Sequence, residues 1–323
     1  MTPVQHLEIV RSFGLPEPRR PLASIYPHAP VYRFRGEDGD LILKRTGKPA
    51  AAGHAVARWT REMVEAGIHS VAPAPGFAPN PRPFASGAEG AEELWVVYPF
   101  IEGEVYRGGA DQLRAAGELL GAIHAHGQEQ DFGLPTSSAV KALTRAEVGL
   151  SVARTLEAVA THRPEKLSVA RRLVQEKVER YFCGAAEALE SARLPLSNGS
   201  WDFKAGNLVY ETSRRCVLVD PDSGGRIPRA YDLAIAALLF PDNAFEAPRR
   251  VLSRREWGAF MGGYQRHCQL TEDERELWGA LLLGAWVDEG LWLLGQPQGW
   301  EDPQERSWHW SLLTVSPDLY VLD

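Results

Sequence analysis

Cysteine is scarce: Cys183, Cys216 and Cys268 stand far apart among 323 residues, with no C-x-x-C pair. That spacing argues against a disulfide framework or a cysteine zinc site, and the expected compartment is the reducing cytoplasm. Long apolar runs are missing as well. The opening MTPVQHLEIVRSFGLPEP carries Glu8 and Arg11 where a signal peptide needs an unbroken apolar stretch. The most apolar segment, Leu277 to Leu294, is interrupted by Asp288 and Glu289, short of the ~18 clean apolar residues of a membrane span. There is no basic excess either: 35 Lys+Arg against 42 Asp+Glu give a net charge of −7. Neither nucleic acid nor membrane is an expected partner, and the acidity would suit a cationic small molecule. No internal repeat or low-complexity tract is present.

What remains is an ordinary globular composition, 44% hydrophobic and 24% charged, long enough for two lobes of roughly 100 to 200 residues. Residues 31–45, VYRFRGEDGDLILKR, are two β-rich runs around Asp38-Gly39, a hairpin signal that sets Lys44 near the end of the second strand. Residues 51–66 have helical spacing, with Gly67 as the stop. LWVVYPF (94–100) is a short apolar run typical of a buried strand. Beyond Gly109 the pattern turns helical: DQLRAAGELLGAIHAHG behind an Asp111 cap, one long helix over Glu165 to Arg193, and helices opened by capping boxes at Ser253/Glu256 and Thr271/Glu274. Among these helices one hairpin is expected, Asn207 to Tyr210 with Cys216 to Val219.

The chemistry is concentrated in SWDFKAGNLVYETSRRCVLVDPD (200–222). It sets Asp202 and Asn207 on a loop entering that hairpin and Asp220 at its end. Phosphoryl transfer needs a carboxylate to orient the attacking hydroxyl and hard oxygen ligands for Mg²⁺, and D-x-x-x-x-N followed by a strand-borne Asp supplies both.

This segment resembles the catalytic loop of the protein-kinase-like superfamily, and particularly the aminoglycoside phosphotransferase and choline kinase family, with its H-G-D-x-x-x-x-N and I-D-[FW]-[DE] motifs. VVYPFIEGE (96–104) resembles the family's hinge, LRAAGELLGAIHAHG its helix ending in LG-x-(I/L)-H, and RAYDLAIAALLF (229–240) its YDLA helix. Gly53-His54 with the EG-E hinge is reminiscent of the spore-coat-like branch. The resemblance implies an α+β, protein-kinase-like bilobal fold. Residues 1–101 would form a small β-rich nucleotide-binding lobe, 98–104 the hinge, and 102–323 a larger, mainly helical lobe. It implies ATP (or GTP) and Mg²⁺ as cofactors and a hydroxyl of a small molecule, aminoglycoside-, choline- or sugar-like, as acceptor. Asp202 would be the catalytic base and Lys204 would meet the transferred phosphoryl group. Asn207 and Asp220 would hold metal, with Asp222 as a second-metal contact. Lys44 would contact the α/β-phosphates, Tyr98 and Phe100 would border the nucleotide, and Asp232 would accept hydrogen bonds from the loop backbone.

Three departures stand beside these matches. Ser200-Trp201 replaces the bracing His-Gly, so Trp201 is expected to pack on a neighbouring helix in its stead. YPHAPVYRF offers no glycine where a phosphate-covering loop belongs. The helix that should present a glutamate to Lys44 reads HAVARW, leaving His54 or Glu62 to take that part. A catalytically impaired nucleotide-binding pseudokinase is therefore the alternative. A protein kinase is disfavoured because no activation segment separates Asp220 from YDLA. His124 and His126, at i and i+2, face different sides of a helix and do not make a metal site; a helix-end histidine favoured by the dipole is the simpler reading. Tryptophans such as Trp278, Trp286, Trp292, Trp308 and Trp310 are expected in the core or a cleft wall. Asp288 and Glu289 face either solvent or a substrate cleft.

Overall fold

Aromatic and branched residues alternate with charged ones on both sides of residues 36–39, the composition of a half-buried sheet. The computed structural model describes residues 3–18, 22–26, 29–86, 91–128, 130–136 and 143–322. After α1 (Pro3–Ser12) come β1 (Val31–Arg35), β2 (Asp40–Thr46), α2 (Ala50–Glu65), β3 (Arg82–Ser86) and β4 (Ala91–Pro99). The four strands form one antiparallel sheet in the order β1-β2-β4-β3. Its register sets Lys44 between Val31 and Val96. On α2 the buried residues Val56, Trp59, Thr60 and Met63 recur at helical spacing and form the face turned to the core. The helix ends as expected at Gly67, whose φ of +78° suits a residue without a side chain.

Beyond the sheet a linker leads to α3 (Ala110–His126). Its backbone is locked to the later hairpin by a two-way pair, Glu104 N to Tyr210 O and Tyr210 N to Glu104 O, each 2.8 Å. Gly103 allows that approach: a β-carbon there would lie 2.5 Å from the Tyr210 carbonyl oxygen.

The remainder is mostly helical: α4 (Arg145–His162), α5 (Leu167–Arg180), α6 (Ala186–Ser191), α7 (Arg229–Leu239), α8 (Arg254–Tyr264), α9 (Glu272–Glu276), α10 (Trp278–Ala285), α11 (Leu291–Leu294), α12 (Gln298–Glu301) and α13 (Pro303–Thr314). Two short β pairs interrupt it, β5 (Leu196–Gly199) with β8 (Gly225–Pro228) and β6 (Leu208–Thr212) with β7 (Arg215–Leu218). The β6–β7 hairpin is the expected one; β5 and β8, four residues each, are too short to show alternation. Their core is continuous, built around α3, α7, α8 and α10, with Trp257, Trp286, Trp300 and Trp308 buried. The molecule is thus α+β, a small sheet region followed by a larger helical part.

Two local expectations are corrected, and one helix is added. Gly109, not Asp111, is the N-cap of α3, and the Gln112 side chain folds back to accept from its N–H. The long helix over 165–193 breaks into α5, a π turn (Tyr181–Ala185) and α6 at Gly184, a poor helix former. The α4 helix, opened by a Thr144/Glu147 capping box, was not expected. Trp292, 57% exposed, is on the wall of a surface cavity that Asp288 and Glu289 also line, one of the two places expected for it.

Candidate active site

The loop over residues 200–207 hangs from a buried carboxylate. Asp232, in the first turn of α7 and 0% exposed, accepts hydrogen bonds from the backbone N–H groups of Ser200 and Trp201, both at 2.9 Å. Its Oδ2 also lies 3.0 Å from Nε2 of His124, whose Nδ1 is 2.9 Å from the Tyr264 hydroxyl. His124 is therefore no exposed helix-end histidine stabilised by a dipole. It is a buried link between the carboxylate and α8, found through a contact 108 residues apart in sequence.

The loop then presents Asp202, half-buried and held from two sides. The Asn207 amide donates to the Asp202 carbonyl at 2.8 Å and to its Oδ2 at 2.9 Å. The Lys204 ammonium lies 3.2 Å from Asp202 Oδ1 and 3.0 Å from Asp242 Oδ2. Burial pushes the Asp202 carboxyl above the ordinary value, while Lys204 and Asn207 pull it back. For Lys204, burial alone would lower the pKa, but the carboxylates of Asp242 and Asp202 outweigh it and raise it. Asp242 had no sequence signal; only the fold brings it to Lys204.

Lys44 crosses from the sheet to the end of the hairpin. Its ammonium is 2.6 Å from Asp220 Oδ1 and 3.1 Å from Asp222 Oδ2. The structure thus joins Lys44, Asp220 and Asp222. It does not join Lys44 to the candidates on α2, because His54 and Glu62 are half-buried on that helix and neither ion pair of Lys44 involves them. Tyr98 is buried on β4, and that burial, with the charges of Asp222 and Asp220, pushes its hydroxyl pKa up. Phe100 follows the strand, its ring stacked under Arg33 at 3.7 Å and its N–H spent on Asp40 O. Tyr98, Phe100, Lys44, Asn207 and Asp220 all border one cavity of about 230 Å³ between sheet and hairpin. Ile25 and Tyr26 cover it from a turn that Ser24 pins, its Oγ accepting from the N–H groups of Tyr26 and Val31. A serine-held turn stands where the glycine-rich loop was missing. A larger cavity of about 540 Å³, between α2, α3 and the β6–β7 turn, touches none of these residues.

Trp201 has φ +54°, a left-handed conformation unusual for so bulky a residue. Its side chain packs against the helical core and hydrogen-bonds Glu289. Glu289 lies in a π turn (Trp286–Gly290) between α10 and α11, and its pKa is raised by burial first and then by Asp288. Asp288 accepts from the Tyr231 hydroxyl at 3.0 Å. Of the two acids that interrupt the apolar helix, Glu289 is the one tied to the catalytic loop.

A small sheet region joined to a larger helical body, with Asp202, Asn207 and Asp220 where the two meet, is the α+β arrangement of a protein-kinase-like fold. The model of the APH phosphotransferase enzyme family matches residues 28–270, most of the chain, and the protein belongs to that family. Membership makes it a small-molecule kinase. A search of curated protein sequences returns no match. Among solved structures, an AMP complex of spectinomycin phosphotransferase is 14% identical over 98% of this chain and 99% of that one, with a TM-score of 0.60. A microcompartment-associated aminopropanol kinase is 12% identical over 95% and 94%, TM-score 0.58. An aminoglycoside phosphotransferase from Alicyclobacillus acidocaldarius subsp. acidocaldarius DSM 446 is 14% identical over 90% and 91%, TM-score 0.55. At such identities the likeness is one of fold, and none of these three singles out the spore-coat-like branch.

Proposed function

We propose that the protein transfers the terminal phosphoryl group of a nucleoside triphosphate, ATP or alternatively GTP, to a hydroxyl of a small cationic acceptor. The carrying observation is a pair of ionic clusters, Lys44 with Asp220 and Lys204 with Asp202 and Asn207, of which Lys44, Asp220 and Asn207 line the 230 Å³ cavity. In this reading the cavity takes the base, with Tyr98 and Phe100 at its border, and Lys44 meets the α/β-phosphates. Asp202, oriented by Asn207 and Lys204, holds the acceptor hydroxyl and accepts its proton as the oxygen attacks. Lys204 neutralises charge on the phosphoryl group in flight.

The donor set fits Mg²⁺. Asn207 spends its amide nitrogen on Asp202, which turns its carbonyl oxygen the other way, and Asp220 is a carboxylate 40% exposed to the cleft. Both are the hard oxygen ligands this ion takes. Bound there, the metal would neutralise the phosphates. Glu289 and Asp288, with Asp202 and Asp242, give the acceptor side a surplus of carboxylates, which supports an amine-bearing alcohol. The presence of Asp202, Lys204, Asn207 and Asp220 together favours turnover over the pseudokinase reading.

Calorimetry with Mg·ATP and Mg·GTP, followed by phosphate transfer to a panel of amino alcohols and aminoglycosides, tests the reading. Nucleotide at ~100 times its dissociation constant should stabilise the fold by about 2.7 kcal/mol. Nucleotide binding with turnover identical in wild type and Asp220→Ala would establish the pseudokinase instead.

A further inference from the structure

Kinase-like sites need the strand lysine held rigidly, because four rotatable bonds otherwise let the ammonium wander. In this chain the α2 helix cannot hold it. The helix turns Val56, Trp59, Thr60 and Met63 inward, and its acids Glu62 and Glu65 lie outside that buried face. Its contact with the loop after β7 is apolar: a β-carbon on Gly224 would lie 2.5 Å from the Trp59 ring, so the indole rests directly on that loop.

Asp222 stands in the missing position. Its Oδ2 is 3.1 Å from Lys44, its side chain is 16% exposed against 40% for Asp220, and Thr46 donates a second hydrogen bond to it. Lys44 and Thr46 are two apart on β2 and share one face, so the carboxylate is fixed to the strand at two points. We infer that Asp222 is a positioning residue that clamps Lys44 in place of a helix carboxylate, rather than a metal ligand, leaving the more exposed Asp220 to face the cleft. The clamp is built from the hairpin side of the cleft, and α2 supports it only by packing Trp59 on Gly224.

This inference rests on the nucleotide-binding reading above, and a double-mutant cycle separates the two. Affinity for Mg·AMP-PNP is measured for wild type, Lys44→Met, Asp222→Asn and the pair, and for Glu62→Gln alone and with Lys44→Met. The expected result is a coupling of about tenfold between Lys44 and Asp222, and none between Lys44 and Glu62. The Mg²⁺ concentration needed for half-maximal nucleotide binding should be unchanged in Asp222→Asn and raised in Asp220→Asn. Additive losses in Lys44 and Asp222, or a Mg²⁺ requirement raised in Asp222→Asn as it is in Asp220→Asn, would overturn the clamp while leaving nucleotide binding intact. If wild type binds no nucleotide, the functional reading fails. The same cycle followed by thermal unfolding then decides whether Asp222 and Lys44 are coupled, and additive melting shifts sink the clamp.

Discussion

Asp220 and Asp232 lie a dozen residues apart and hold opposite kinds of partner. Asp232 is sealed at 0% exposure and collects donors from three places: the Ser200 and Trp201 backbone and His124. Asp220, 40% exposed, holds the Lys44 ammonium at the edge of a cleft. The first carboxylate is spent entirely on keeping a loop in shape. The second is left where another cation or a phosphate can compete for it. With Ser200-Trp201 where a bracing His-Gly was expected, the buried anchor explains how the 200–207 loop keeps its course.

The contrast can be broken first by stability. Asp232→Ala strands two buried N–H groups and an imidazole, and should cost about 3 to 5 kcal/mol in denaturant unfolding. Asp220→Ala should cost about 1 kcal/mol or less, since water screens its pair and Asp222 remains on Lys44. Equal losses would show that the two carboxylates are not different in kind.

The next effect is on rate. Asp202→Asn keeps the shape of the loop and removes the proton acceptor, so transfer should fall by about 100-fold or more with nucleotide affinity unchanged. A variant as fast as wild type would remove Asp202 from the mechanism.

A third test concerns a buried cation with no carboxylate. Lys177 on α5 donates to Leu313 O at 2.9 Å, lies 4.8 Å from the Trp286 ring centre, and burial lowers its pKa to about 8. The unfolded chain, with an ordinary value of 10.5, binds the extra proton between these two values. Stability contributed by this site therefore rises as pH increases from about 8 to 10.5, and the full cost is present below 8. Lys177→Met should be about 3 kcal/mol more stable than wild type at pH 7, before the lost hydrogen bond is counted, and the gap should close toward pH 10. Parallel melting curves across that range would refute it.

The smallest effect distinguishes strain from packing at Trp201. Glycine tolerates φ +54° and alanine does not, so Trp201→Gly should be more stable than Trp201→Ala by about 1 kcal/mol in denaturant unfolding. The reverse order would mean that the backbone relaxes once the indole is gone.

What the sequence made legible was local. The β1–β2 hairpin, the stop at Gly67, the two capping boxes and the spacing of Asp202, Asn207 and Asp220 are all read within a few residues of chain, where period and turn chemistry act. The Thr144/Glu147 box was equally local and was overlooked. The partners that give the site its charge balance were beyond reach, because Lys44 meets Asp220 across 176 residues and His124 meets Asp232 across 108. Assigning Lys44 to His54 or Glu62 failed for the same reason: helical spacing says which residues share a face, not which loop closes over it.

The two-way bond between Glu104 and Tyr210 has a counterpart on the other strand of the hairpin, where Val71 N donates to Leu218 O and Leu218 N to His69 O. Both β6 and β7 are thus gripped by chain that leads into or out of the sheet region. Mechanically the hairpin is a rivet: four backbone hydrogen bonds, two on each strand, pin it to the chain on either side of β3 and β4. Asn207, one residue before the pinned strand, is bonded to Asp202 within the same loop, whereas Lys44 reaches the hairpin's end from the sheet through side chains alone.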